Sequence, residues 1–247
     1  MTSSSARPTA TPASTARPTT PRPAATGPAS TRRPVLVTVG AVALLGQAVS
    51  IPAELVGMAL SALPYDPVRQ TISDLGSTTC TAIPYPSGAV EVCSPAHAMV
   101  NGGMVLAGLL VLVASVCLAG TWWRRSRPLA VAAVGTLALT GASTLATGLV
   151  PLDVDLMLHS LVSLPAILVS PIAVMALAVL SLRGPLRLVC LVAAALALVA
   201  AVVMLGTVDS GGIMGLTERT AVWIPVLVMA LVGADELRRR SAGRAPC

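Results

Sequence analysis

From Pro34 onward the chain alternates long apolar stretches with short polar breaks. A membrane-crossing helix needs about 20 apolar residues. The spacing predicts spans at 34–58, 96–120, 129–150, 157–180, 186–206 and 218–234. In the sixth, only Ala221 to Ala234 is free of charge, so a full span requires Glu218 and Arg219 to enter the interface. Nothing resembles the alternating segments of about 10 residues that build a membrane β-barrel. The pattern predicts an all-α fold, a polytopic membrane helix bundle of six transmembrane helices over 34–235. Residues 1–33 hold no Leu, Ile, Val or aromatic residue. Such a segment buries too little apolar surface to offset its ordering entropy, and a disordered tail is expected. Residues 236–247 read as a short basic tail.

Composition agrees. The 247 residues are 55% hydrophobic and 11% charged, against about 25% charged in soluble domains. That excludes a soluble enzyme with one buried core. With no Phe and 2% aromatic residues, no base-stacking surface and no nucleic-acid partner is expected. The bilayer is the expected partner. The net charge of +6 is a topology signal. All 16 basic residues are Arg, and 14 fall on one side of the six-span arrangement. The positive-inside rule then puts both termini in the cytoplasm. Trp122 and Trp123 fall at the inner boundary and Trp223 near the outer one, where interfacial aromatics belong.

Cys80 and Cys93 share the one long outer loop, on the oxidising side, and a disulfide between them is expected. Zinc is the alternative, but only His97 is nearby and no Cys-x-x-Cys spacing exists, so no metal site is expected. No motif indicates a cofactor.

Candidate chemistry gathers toward the outer face. At 66–76, Asp66 suits an N-cap, Pro67 a first helical position and Gly76 a stop. Val68, Ile72 and Leu75 form one apolar face. This predicts a short amphipathic helix on the outer surface. It is either a lid with Ser73 and Asp74 turned inward or an interfacial turn with solvated charges. His97 and Asn101 share a face of span two, with Gly108 and Ser115 further along. Thr136, Thr140, Ser143, Thr144 and Thr147 line one face of span three, as packed hydroxyls bonded back to the helix or as a cavity wall. Asp155, His159 and Ser163 follow at i, i+4 and i+8 in span four. The order resembles a catalytic triad, but no nucleophile elbow exposes Ser163. Glu54 lies in the outer third of span one, where an ionisable residue pairs inward. Arg69, Arg219 and a protonated histidine are its available partners. Asp74, Asp153 and His159 are the acid–base candidates, expected to converge. Glu54, Ser73, His97, Asn101 and Asp155 are the binding candidates.

The runs Tyr-Asp-Pro-Val-Arg-Gln-Thr-Ile-Ser-Asp-Leu-Gly (65–76), Cys-Ser-Pro-Ala-His-Ala-Met-Val-Asn (93–101) and Gly-Leu-Val-Pro-Leu-Asp with a following His (148–159) carry a resemblance. In this order, with six spans, the chain resembles the bacterial membrane family catalogued as domain of unknown function 998, from about residue 35 to 235. The resemblance highlights Ser73, Asp74, Leu75, Gly76, Pro95, Asn101, Gly108, Pro151, Asp153 and His159. Val150 stands where the family often has Phe. The resemblance implies fold and residue selection, and no activity.

Three functions fit the sequence. One is an envelope protein that binds a lipid or protein partner at a polar outer-face site. The second is an intramembrane enzyme acting on a lipid or isoprenoid, as a hydrolase or a terpenoid cyclase, through Asp/His acid–base chemistry. The third is a small-solute transporter, disfavoured because the inner half lacks ionisable residues. Substrate and oligomeric state are not legible.

Overall fold

The computed structural model describes residues 29–242. Most of the expected N-terminal tail and the last five residues lie outside that range. The chain is a multi-pass all-α membrane protein. Six of its helices have the length and hydropathy to cross a bilayer: Val35–Ala59, His97–Arg125, Arg127–Leu149, Leu156–Ser181, Gly184–Gly206 and Met214–Ala242. The first span is two helices, α1 (Ala29–Gly46) and α2 (Ser50–Ala59), joined by a 3-10 turn at Gln47–Val49. The other five are α3 to α7 in chain order. The sixth span is the most extended relative to expectation. It starts at Met214 and buries Glu218 and Arg219 rather than leaving them at the boundary.

The helices close a ring. α3 packs on α1 and α4, α4 on α5, α5 on α7, and α7 on α1. α6 lies outside, against α5 and α7. Its other face is bare of cover: Leu188, Val192 and Val199 are about 60% exposed. Apolar residues displayed along a whole helix suit hydrocarbon as their solvent. Toward the arginine-rich end the interior is a dry core of Leu44, Leu118, Trp122, Leu137, Val174 and Leu177.

Close approach is built in where α3 crosses α4. A Cβ on Gly108 would lie 2.6 Å from the Gly141 carbonyl oxygen and 2.5 Å from Leu145 N. Only small residues let two backbones pack so tightly in lipid. α4 and α5 are stitched by Ser143. Its hydroxyl donates to Val162 O and accepts from Ala166 N at 2.8 Å. Those two groups are partners in one turn of a regular helix, so Ser143 is inserted into the α5 ladder beside Pro165.

At the other end sits a cap, formed by residues 60–96 and 207–213. It contains strands, which the all-α expectation lacked. β1 (Thr81–Tyr85) and β2 (Gly88–Val92) form an antiparallel hairpin, with Thr81 opposite Val92. The Cys80–Cys93 disulfide closes its base, as expected. Ile83 and Val92 bury against Leu152 in the α4–α5 turn.

The expected amphipathic helix at 66–76 is corrected. A turn spans 67–69 and a 3-10 helix spans Ser73–Gly76. Ile72 through Gly76 are buried, so the segment lies inside the cap and not on a membrane surface. The physical reason is competition for its backbone. Asp66 Oδ1 takes the Val68 N–H at 2.9 Å, and Gln70 Oε1 takes the Asp66 N–H at 2.8 Å. The carbonyls of Pro67, Val68, Arg69 and Gln70 accept from α7 instead of from a helix of their own.

Candidate functional site

The site begins where the cap meets α7. The first N–H groups of a helix lack internal partners. Here Gly215 N donates to Arg69 O and Leu216 N to Val68 O. The approach is so close that a Cβ on Gly215 would stand 2.0 Å from Gln70 O. One turn on, Arg219 Nη1 donates to the carbonyls of Pro67 and Gln70, each at 2.8 Å. Its Nη2 donates to the Tyr65 hydroxyl, and its guanidinium lies 5.4 Å from the Tyr65 ring centroid. Burial pushes the Tyr65 hydroxyl above its usual range, against the pull of Arg219.

Arg219 also answers which partner Glu54 takes. Arg219 Nε sits 2.8 Å from Glu54 Oε1, with both side chains under a tenth exposed. The contact is ionic and not a directed hydrogen bond. Glu54 Oε2 accepts from the Trp223 indole N–H at 2.7 Å. Trp223 is therefore turned into the bundle, where the sequence suggested an interfacial residue. Arg69 stays exposed and pairs with Asp66.

Ser73 and His159 form the second feature. His159 Nδ1 is 2.6 Å from Val150 O. A carbonyl only accepts, so Nδ1 carries the hydrogen. In the neutral ring, Nε2 then offers its lone pair, and the Ser73 hydroxyl lies 2.8 Å away. Both residues are buried. The histidine partner is thus a serine of the cap, 86 residues away in sequence.

Asp74, Asp153 and His159, expected to converge, share no hydrogen bond with one another, and each is held by other partners. Asp74 accepts from Thr71 N at 2.7 Å and from the Tyr85 hydroxyl at 2.7 Å. Burial raises its carboxyl above the usual range despite these bonds. The same burial, with Asp74 beside it, raises the Tyr85 hydroxyl. Asp153 is elsewhere, accepting four bonds of 2.8 to 2.9 Å from the backbone N–H and hydroxyl groups of Thr78 and Thr79. Partial burial alone would raise its carboxyl, but these bonds outweigh it and hold it below the ordinary value.

Asp153 therefore favours the fold when charged. Its contribution is full above the unfolded carboxyl value near 4 and is lost as pH falls through the depressed folded value. Amide exchange at Thr78 and Thr79 should quicken as pH drops below about 4, relative to the intrinsic rate. Asp153→Asn should show the faster relative exchange at every pH. Unchanged protection in that variant would contradict the assignment.

The remaining candidates bond locally, except Asn101, which reaches the cap. Asp155 Oδ1 caps α5 through Leu158 N at 2.9 Å. His97 Nδ1 sits 2.9 Å from Ser94 O. Asn101 Nδ2 donates to Gly76 O at 2.8 Å.

Two hollows flank the buried segment Thr71–Asp74. An open pocket of about 270 Å³ faces outward from the cap and is lined by Thr71, Asp74, Tyr85 and Ser87. Beneath it, inside the helix ring, is a cavity of about 90 Å³. Its walls are mainly apolar, with Val100, Ala107, Val111 and Met229 among them. Its polar lining includes Glu54, Ser73, Thr140, Ser163, Glu218 and Trp223. The hydroxyls of span three play both expected parts. Thr144 and Thr147 bond back to the carbonyls four residues earlier, and both line the cavity. Thr140 Oγ1 is buried with no hydrogen-bond partner among the described residues.

Glu218 and, except as a possible partner of Glu54, Arg219 were missing from the sequence candidates, as were Tyr65 and Tyr85. Adjacent charges at the start of the weakest span were the available signal for the first two. They read as boundary residues because the 218–234 span put both at its outer end.

The profile of a family described as "Protein of unknown function (DUF998)" matches residues 51–235. No curated protein and no solved structure matches the chain.

Proposed function

We propose a ligand-binding role for this chain, which belongs to the family of proteins of unknown function DUF998: its interior cavity receives part of a lipid-like molecule. One observation carries this reading. A mainly apolar hollow within the ring presents buried polar groups that the protein leaves without full partners. Native interiors pair their buried polar groups, so Thr140 Oγ1 calls for a ligand atom or an ordered water. The cap is on the external side in this reading and the arginine-rich end is cytoplasmic, by the positive-inside rule. The cavity then lies in the external half of a bacterial inner membrane. The cavity-narrowing variant Ala107→Leu is the test. Native mass spectrometry of the parent, released from lipid nanodiscs, should retain a bound lipid or isoprenoid that Ala107→Leu loses while staying folded. A parent that carries none would end this reading.

The Ser73–His159 pair favours a second reading, a membrane-embedded ester hydrolase. A nucleophile in reach of a base that a third group orients is the signature of nucleophilic catalysis. Val150 O is the orienting group. Ser73 Oγ would attack an ester carbonyl and pass its proton to His159 Nε2, which hands it to the leaving alcohol. Water would then release the acid and restore Ser73. Covalent capture of Ser73 by a serine-directed phosphonate tests this.

A further inference from the structure

Glu218 belongs to a buried layer whose charges do not balance. Among the described residues, the layer where the cap meets the ring holds the carboxylates of Glu54, Asp74 and Glu218 against Arg219 and the imidazole of His159. All five are under a tenth exposed. Even a protonated His159 would leave three carboxylates facing two cations. Arg219 is committed to Glu54 and to three cap groups, the carbonyls of Pro67 and Gln70 and the Tyr65 hydroxyl. Asp74 is bonded to Thr71 and Tyr85. Glu218 accepts only from Ile72 N, at Oε2, among the described residues, and it lines the cavity. One carboxylate oxygen is therefore left to the hollow. An uncompensated carboxylate in an apolar interior is costly and is relieved by a proton or by a cation.

We propose that the cavity accepts a primary ammonium group, with Glu218 as its counter-ion. This deepens the ligand-binding reading and rests on it. Three N–H donors suit the free Glu218 oxygen on α7 and the other acceptors of the lining, while the unpartnered Thr140 hydroxyl on α4 lines the same cavity from another helix. Trp223 adds an aromatic surface, whose ring attracts cations. The apolar remainder of the wall suits the carbon chain that bears the amine. The ammonium belongs to an amine-headed lipid or to a free amine, and the two sources share this chemistry.

The experiment uses the full chain in phosphatidylcholine nanodiscs, with binding read from the unfolding midpoint. Dodecylammonium should bind roughly tenfold or more tightly than dodecanol, the worth of one charge-assisted hydrogen bond. Glu218→Gln should erase that preference and leave dodecanol binding unchanged. Should this variant not fold, the amine-to-alcohol ratio in the parent decides. Competition by ethylammonium would identify a free amine as sufficient. Retention of doped phosphatidylethanolamine in native mass spectra, with ethylammonium inert, would identify the lipid head. Equal affinity for amine and alcohol overturns the ammonium proposal and leaves the ligand-binding reading standing. Binding of neither, with no retained lipid, overturns both.

Discussion

Arg219→Met should be the most damaging single substitution in the bundle, costing roughly 3–5 kcal/mol. The change keeps an unbranched apolar stem and removes the charge. Glu54 then remains under a tenth exposed with no cation beside it, retaining the Trp223 N–H. The carbonyls of Pro67 and Gln70 also lose a donor, so the cap loses a main attachment to α7. Removing one member of a buried pair costs more than removing both, since no bare charge is left. Glu54→Gln with Arg219→Met should therefore be more stable than Arg219→Met alone, by about 1 kcal/mol or more. Unfolding in mixed micelles, followed by helix content, measures both. An Arg219→Met protein as stable as the parent would show that the pair is not buried as described.

Fluorophosphonate labelling of the intact protein should modify Ser73 and spare Ser163. Ser163 lies on the same cavity, but its hydroxyl donates to Ser160 O and no histidine is bonded to it. His159→Gln should slow labelling of Ser73 by roughly 10²–10⁴-fold, the usual worth of a positioned general base. A purely structural Ser73–His159 clasp predicts another pattern. The parent would resist the reagent, and loss of either side chain would lower only stability. The decisive comparison pairs labelling rate with unfolding midpoint for each variant. A folded parent that takes no label at Ser73 would eliminate the hydrolase reading.

The bundle was legible in the sequence because membrane insertion is a local requirement. Each span must satisfy its own backbone and present enough apolar length, so composition along the chain locates it. The Cys80–Cys93 bridge was legible for a similar reason, as two cysteines in one loop on one side. The cap was not. At 66–76 the local signals for a helix are sound, with Asp66, Pro67 and the apolar spacing all in place. They lose to α7, whose bare N–H groups and Arg219 claim the same carbonyls from the far end of the chain. The site followed the same rule. Glu54, Ser73 and His159 stood out as polar groups in apolar surroundings, and that much needs no coordinates. Their partners, Arg219 for Glu54 and Ser73 for His159, depend on which helices close the ring and how the cap folds back. The pairing of Asp153 with Thr78 and Thr79 depends on it too. A hydrogen bond is decided within an ångström, whereas a hydropathy pattern resolves whole turns of helix. The sequence alone determined a six-span bundle with these polar groups gathered toward one end. Only the tertiary structure decided which of them meet, and that, among the described residues, Glu218 keeps one oxygen without a hydrogen-bond partner.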